Sequence, residues 1–159
     1  MILRDATADD AFALVAFDIG GPPTAWLDEV IEIVNGLISW QHDHEHQELD
    51  RRVIVAEAGG EIVAVGAHER IEHDSLGPLR EHRYVMVVAV RAGYRRTGVA
   101  SVLLESILAE MQHDGVTTAS WLVHPANLAS IAFSRTAFPD ADEAYPADDR
   151  PYARFTLRL

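Results

Sequence analysis

Val88-Ala89-Val90-Arg91-Ala92-Gly93-Tyr94-Arg95-Arg96-Thr97-Gly98-Val99-Ala100-Ser101 is the stretch on which the reading of this chain turns. Before it, Tyr84–Val90 is a nearly continuous apolar run, the pattern of a strand buried on both faces. After it, Gly98–His113 repeats apolar residues at helical spacing. Val99, Val102, Leu103, Ile107, Leu108 and Met111 are expected inward, with Gly115 as the stop. The join is therefore a strand-to-helix turn holding two glycines and two adjacent arginines. The first N–H groups of a helix have no partner within it and carry a partial positive charge. Small residues at Thr97, Gly98, Ala100 and Ser101 leave those groups open to an anion, and Arg95 and Arg96 add charge. Each charge-assisted hydrogen bond there is worth about 1.5–3 kcal/mol before desolvation, so several together suffice to hold a pyrophosphate.

Charge marks the same place. The chain has 159 residues, 25 acidic and 13 basic, for a net charge of −12. From His82 to Leu104 there is no acidic residue, and Arg83, Arg91, Arg95 and Arg96 supply four positive charges. The rest of the chain therefore carries −16, the −12 total less those four charges. Such an acidic surface repels nucleic acid and anionic membranes at long range and favours cationic partners. All 13 basic residues are arginine, which excludes lysine Schiff bases and phosphate loops that end in Lys-Ser/Thr. The absence of cysteine excludes disulfides, thiolate zinc sites and cysteine nucleophiles.

Length and composition give the frame. An apolar content of 48% is that of a globular chain. At this length roughly 68–70% of the unfolded surface can be buried, so one domain over 1–159 is expected. No apolar run reaches the roughly 18–20 residues of a membrane span. Asp5, Asp9 and Asp10 interrupt any basic-then-apolar leader. The expectation is a soluble, cytoplasmic domain.

Outward from the turn, the other elements read as follows. Ile2-Leu3-Arg4 is a short strand. Thr7 and Asp10 have the spacing of a helix cap, and Phe12, Leu14, Val15 and Phe17 read as a short amphipathic helix. Gly20-Gly21-Pro22-Pro23 breaks it. A second helix, capped by Thr24, carries Leu27, Val30, Ile31, Val34, Leu37 and Ile38 at spacings of three and four. Val53–Ala58, Gly59-Gly60 and Glu61–Ala67 read as a hairpin. A polar loop with Ser75, Gly77 and Pro78 precedes the apolar run. Ala119–Val123 is a strand, Asn127–Phe138 a helix, and Tyr152–Leu159 a half-buried closing strand. The order predicts an α/β domain, a mixed central β-sheet with helices on both faces.

These residues resemble the GNAT superfamily of acyl-CoA-dependent N-acetyltransferases. Its signature, Arg or Gln, two residues, Gly, one residue, Gly or Ala, is met by Arg95-x-x-Gly98-x-Ala100 between a buried strand and a helix. The opening strand with two helices, the hairpin and Asn127 after the fifth strand extend the likeness over most of the chain. The resemblance implies acetyl-CoA as co-substrate, its pyrophosphate held by Arg95, Arg96, Thr97, Gly98, Val99, Ala100 and Ser101. It implies that the β4-type strand Val88-Ala89-Val90 pairs with the pantetheine arm, and that Asn127 contacts the arm further along. It implies direct attack by an amine, with a backbone N–H near Val88 stabilising the developing oxyanion. The partner implied is a small-molecule amine acceptor, and the acidic surface favours a cationic one. A homodimer is compatible with the sequence.

One position departs from the family. A tyrosine usually stands seven residues past the Asn and acts as acid; here that position is Ser134, and the usual Gly-Phe ending appears as Ala137-Phe138. Water or Tyr145 are the substitutes, and no acid is assigned. For the base, His124 at the end of the fifth strand is the candidate, because an imidazole suits proton abstraction at neutral pH. Glu69 and Glu72 are its rivals. The run His42-Asp43-His44-Glu45-His46 reads as a solvated loop, as an acidic lip for a cationic substrate, or as a metal site through His42, His44 and His46. No metal is assigned. Trp26 and Trp40 read as core or interface, with substrate contact as the alternative. The competing function is a non-catalytic acyl-CoA-binding or regulatory module that kept the cofactor loop.

Overall fold

The computed structural model describes residues 1–19, 30, 33–34, 51–70, 82–145 and 152–159. Seven strands form one sheet: β1 (Ile2–Asp5), β2 (Arg52–Ala58), β3 (Glu61–Arg70), β4 (His82–Val90), β5 (Thr118–Val123), β6 (Asp142–Ala144) and β7 (Ala153–Arg158). Their order is β1-β2-β3-β4-β5-β7-β6. Every neighbouring pair is antiparallel except β4 and β5, which run parallel. Among the described residues, the helices with both ends placed are α1 (Ala11–Val15), α2 (Val99–His113) and α3 (Leu128–Ala137). The connection from β4 to β5 runs through α2, as a parallel pair requires.

Alternation along the strands feeds two cores. On one face, Val53, Val55, Val65 and Ala67 pack with Leu14, Phe17, Val30, Ile33 and Val34. On the other, Ile54, Ala56, Val63, Val85, Trp121 and Phe155 pack with Leu103, Ile107 and Met111 of α2 and Ile131 of α3. The mixed sheet with helices on both faces is as the sequence predicts. α2 lies close on the sheet because Gly66 has no side chain: a Cβ there would fall 2.5 Å from Ile107 Cδ1.

Several local readings need correction. Val102 is 42% exposed, and Leu104 takes its place inside. In α1, Phe12 and Val15 are exposed; Leu14 and then Phe17 turn inward, because so short a helix has one buried line. In β7 the inward residues are Ala153 and Phe155, so Tyr152 falls out of phase with the buried side. β6 was not foreseen. Its residues, Asp142-Glu143-Ala144, have weak strand propensity, and the strand exists through pairing with β7. Of the second helix, Val30, Ile33 and Val34 are helical and buried. Its remaining named positions lie outside the described residues, as does the Ser75–Pro78 loop.

Candidate active site

β4 is not buried on both faces along its length. Its pairing with β5 runs from His82↔Thr118 to Val85↔Trp121 and stops there, although β4 continues to Val90 and β5 to Val123. Over Val88–Val90 the strand keeps β3 on one edge, through Gly66, Val65 and Ala64. From Met86 to Val90 every residue is half-buried. The two parallel strands thus part after Val85 and leave a wedge whose β4 wall carries backbone N–H and C=O groups without a β5 partner. An extended chain can add to such an edge as a strand does.

The wedge opens toward the loop between β4 and α2. A 3₁₀ turn at Ala92–Tyr94 starts that loop, fixed by the Arg91 N–H to Val63 O (2.9 Å) and the Ala92 N–H to Asp18 O (3.0 Å). Arg96 (φ 61°) and Gly98 (φ 85°) both take left-handed backbone, and they wind the chain tightly into α2. Among the described residues, no side chain caps the start of α2, so its first-turn N–H groups face outward without a protein acceptor. A Cβ built on Gly98 would meet nothing within 4 Å. Arg96, Thr97 and Gly98 are exposed, and Ala100 and Ser101 are half-buried. An open helix start with left-handed backbone and an exposed guanidinium fits a diphosphate.

The four arginines of this segment do not form one cationic island. Arg83 is 2% exposed at the other end of β4, with Nη1 3.1 Å from His68 Nδ1. Arg91 donates from Nη1 to Glu61 Oε2 (3.1 Å) and lies over the Phe17 ring. Arg95 donates from Nη2 to Ile19 O. Burial therefore takes Arg83 away from the loop and pairing engages Arg91, while Arg95 and Arg96 are both exposed at the helix start.

Across the wedge stands the end of β5. His124 follows Val123 at the end of β5, three residues past Trp121, where the pairing with β4 stops. His124 is exposed; its Nδ1 accepts from the Ala126 N–H at 3.1 Å, and its ring meets the Tyr152 ring edge-on at 5.4 Å. Asn127 donates its N–H to His124 O (2.8 Å) and caps α3, its Oδ1 accepting from the Ser130 N–H (3.1 Å). Its side-chain amide N–H groups are not used by that cap. The spacing Asn127-x-x-Ser130 carried this cap in the sequence.

Other candidates are engaged elsewhere. Ser134 is 3% exposed and its Oγ accepts from Trp121 Nε1 (2.9 Å), so it belongs to the core. Tyr145 follows β6 at the far edge of the sheet, its hydroxyl donating to Glu143 Oε1 (3.0 Å). Arg135 donates twice to the same carboxylate and holds Glu143 below the usual range. Glu69 Oε2 accepts from Arg51 Nε at 2.8 Å and lies 2.7 Å from Nη2. Tyr152 is the residue that the sequence reading misses: it stands beside His124 because the last residue of β5 pairs with the first of β7, Val123↔Ala153. Glu72, Trp26, Trp40 and the His42–His46 run lie outside the described residues.

An α/β fold in which a parallel pair parts in mid-sheet, with an uncapped helix start at the mouth, is what the described residues form. The model of the acetyltransferase (GNAT) family matches residues 19–138, and the chain belongs to that family. It is an acyltransferase whose co-substrate is acetyl-CoA. No curated protein sequence matches the chain. Among solved structures, the fold is similar to PaiA N-acetyltransferase from Thermoplasma acidophilum in complex with coenzyme A. The TM-score is 0.74 at 12% identity, covering 99% of this chain and 98% of that one. The GNAT domain of S. lividans PAT gives a TM-score of 0.72 at 24% identity, covering 99% and 89%. A ribosomal-protein-alanine N-acetyltransferase from Brucella melitensis gives 0.68 at 20%, covering 100% and 99%. Among the described residues, no helix is long and apolar enough to cross a membrane.

Proposed function

We propose that this chain moves the acetyl group of acetyl-CoA to a primary amine of a small, cationic acceptor in the cytoplasm, by direct attack. The observation that supports the reading is the wedge beyond Val85, with the uncapped start of α2 at its mouth. Gly98, Val99, Ala100 and Ser101 offer main-chain N–H groups to the diphosphate, with Thr97 exposed beside them and Arg96 adding charge. Arg95 draws the loop toward Ile19 and adds its charge to the same loop. Val88, Ala89 and Val90 present backbone groups to the pantetheine arm, and the Asn127 amide meets the arm near the end of β5. Acetyl-CoA supplies an activated thioester carbonyl.

At that carbonyl the Val88 N–H stabilises the oxyanion that develops as the acceptor nitrogen bonds to carbon. His124 takes the amine proton at Nδ1, giving up the Ala126 N–H to do so. The carbon–sulfur bond breaks, and the sulfur takes its proton from water, since Ser134 is turned into the core. The net charge of −12 favours a cationic acceptor, whose long-range attraction raises the encounter rate.

The burial of Ser134 also favours a second reading, a module that binds acyl-CoA without turnover. One assay separates the two. Thiol release from acetyl-CoA is followed over a panel of polyamines, aminoglycosides and peptide N-termini, with CoA binding measured by calorimetry. The proposal expects release stimulated by cationic amines at least tenfold over the acceptor-free rate. Binding without stimulated release on any amine selects the module, and stimulation by neutral amines alone overturns the cationic acceptor.

A further inference from the structure

We infer that Tyr152 is a positioning residue for the base: its ring holds the His124 imidazole at the mouth of the wedge. The inference rests on the acyl-transfer reading and deepens it. Val123↔Ala153 is the last pair of the β5–β7 ladder, so one step further sets His124 opposite Tyr152. Val123 and Ala153 face the core under α2 and α3. By strand alternation, the next residue on each chain projects toward the opposite face, where α1 packs.

His124 lies beyond the ladder and is exposed, so backbone pairing and burial do not fix its side chain. Two contacts do. One is the Ala126 N–H on Nδ1, the bond that must break for that nitrogen to take a proton. The other is the edge-on contact with the Tyr152 ring, centroids 5.4 Å apart and planes at 83°. When the Ala126 bond opens, the tyrosine ring is what keeps the imidazole from swinging to other rotamers. A ring pair of this geometry is worth roughly three- to tenfold in population, enough to set the fraction of productive encounters. Tyr152 is 37% exposed, so its ring is not there to fill the core. Its neighbour Ala153 does that.

The test is a double-mutant cycle read on kcat/KM for the amine of highest turnover in the panel, with His124 ring-proton NMR alongside. Tyr152→Ala should lower kcat/KM about tenfold in the native background and less than twofold in His124→Ala, because the two residues act as one unit. KM for acetyl-CoA should stay within twofold. Tyr152→Phe, which keeps the ring, should restore all but about twofold of the loss. The His124 ring protons should be displaced from solvent-exposed values in the native chain and in Tyr152→Phe, and not in Tyr152→Ala. Equal losses in both backgrounds overturn the inference, since Tyr152 would then act on its own account. So does Tyr152→Phe as slow as Tyr152→Ala, or unmoved ring protons. If His124→Ala alone costs nothing, the base assignment fails, and that result is distinct from the others.

Discussion

The apolar run Tyr84–Val90 spans two halves of β4 that live in different surroundings. Over Arg83–Val85 the strand is paired on both edges, and Arg83 and Val85 are buried. Over Val87–Val90 it is paired with β3 alone, and every residue is half-buried. Met86-Val87-Val88-Ala89-Val90 is apolar throughout, yet the closed half carries the buried charge and the open half the exposed hydrocarbon. What differs is the neighbour. β5 follows β4 for four residues and then departs, and the departure leaves a core strand with an open edge. Apolar side chains and main-chain groups without a β5 partner then sit together, the kind of edge to which an extended chain can add.

The largest effect expected from this contrast is on stability. Val85→Ala should cost about 2 kcal/mol, because Val85 is 4% exposed between two strands and under Trp121 and α2. In a chain of this size that lowers the melting temperature by about 4–8 °C. Val88→Ala should cost less than half as much, its side chain having one open flank. Calorimetric melts of both variants decide the matter. Equal losses would mean that the open half is packed as tightly as the closed one.

Much of this was legible in the sequence, and the part that was not has a common cause. The β2–β3 hairpin, α2 and the Arg95-x-x-Gly98-x-Ala100 turn are local patterns, readable because adjacent residues alone determine them. The apolar run of β4 was read as buried on both faces, since composition does not report where a neighbouring strand leaves. The charge count over His82–Leu104 does not report burial for the same reason: Arg83 is buried at one end of the strand, while Arg95 and Arg96 are exposed in the loop at the other. Tyr152 looked like one more residue of an alternating strand. Its meeting with His124 depends on the register of β5 with β7, which single-sequence patterns do not encode. Ser134 is buried and bonded to Trp121, which no local pattern reports. That hydrogen bond is a tertiary contact.

A smaller effect tests the loop at the end of the open half. Gly98 has φ 85°, and a side chain there is strained even though no protein atom lies within 4 Å of its Cβ. Gly98→Val adds bulk beside the first-turn N–H groups and should weaken CoA binding at least tenfold by calorimetry. Gly98→Ala carries the same backbone penalty without the branched side chain and should fall between the two. Unchanged affinity in Gly98→Val would remove the loop from the diphosphate site and leave the wedge without its anchor.

The smallest effect concerns the sheet edge farthest from the wedge on the β1 side, where ion pairing ties the edge. Arg4 donates to Asp10 Oδ2 and Oδ1 at 2.8 and 2.9 Å and to Glu57 Oε2 at 3.1 Å. The Thr7 N–H adds a bond to Asp10 Oδ2 at 2.8 Å. The Arg4 hydrogen bonds pull the Asp10 carboxyl down to about 2 against the cost of its burial. A carboxyl that is more acidic folded than unfolded stabilises the fold when ionised. That contribution is complete above roughly pH 5 and is lost as pH falls through 4 toward 2. It is worth roughly 1 kcal/mol, because Arg4 is a third exposed and the pair is screened by solvent. Asp10→Asn should therefore lower the urea midpoint at pH 6, and the gap to the native chain should shrink steadily between pH 4 and pH 2. A gap independent of pH would transfer the stabilisation to the neutral hydrogen bonds at Thr7. CoA affinity should not follow either change, since β1, which carries the Arg4 partner of Asp10, lies three strands from β4.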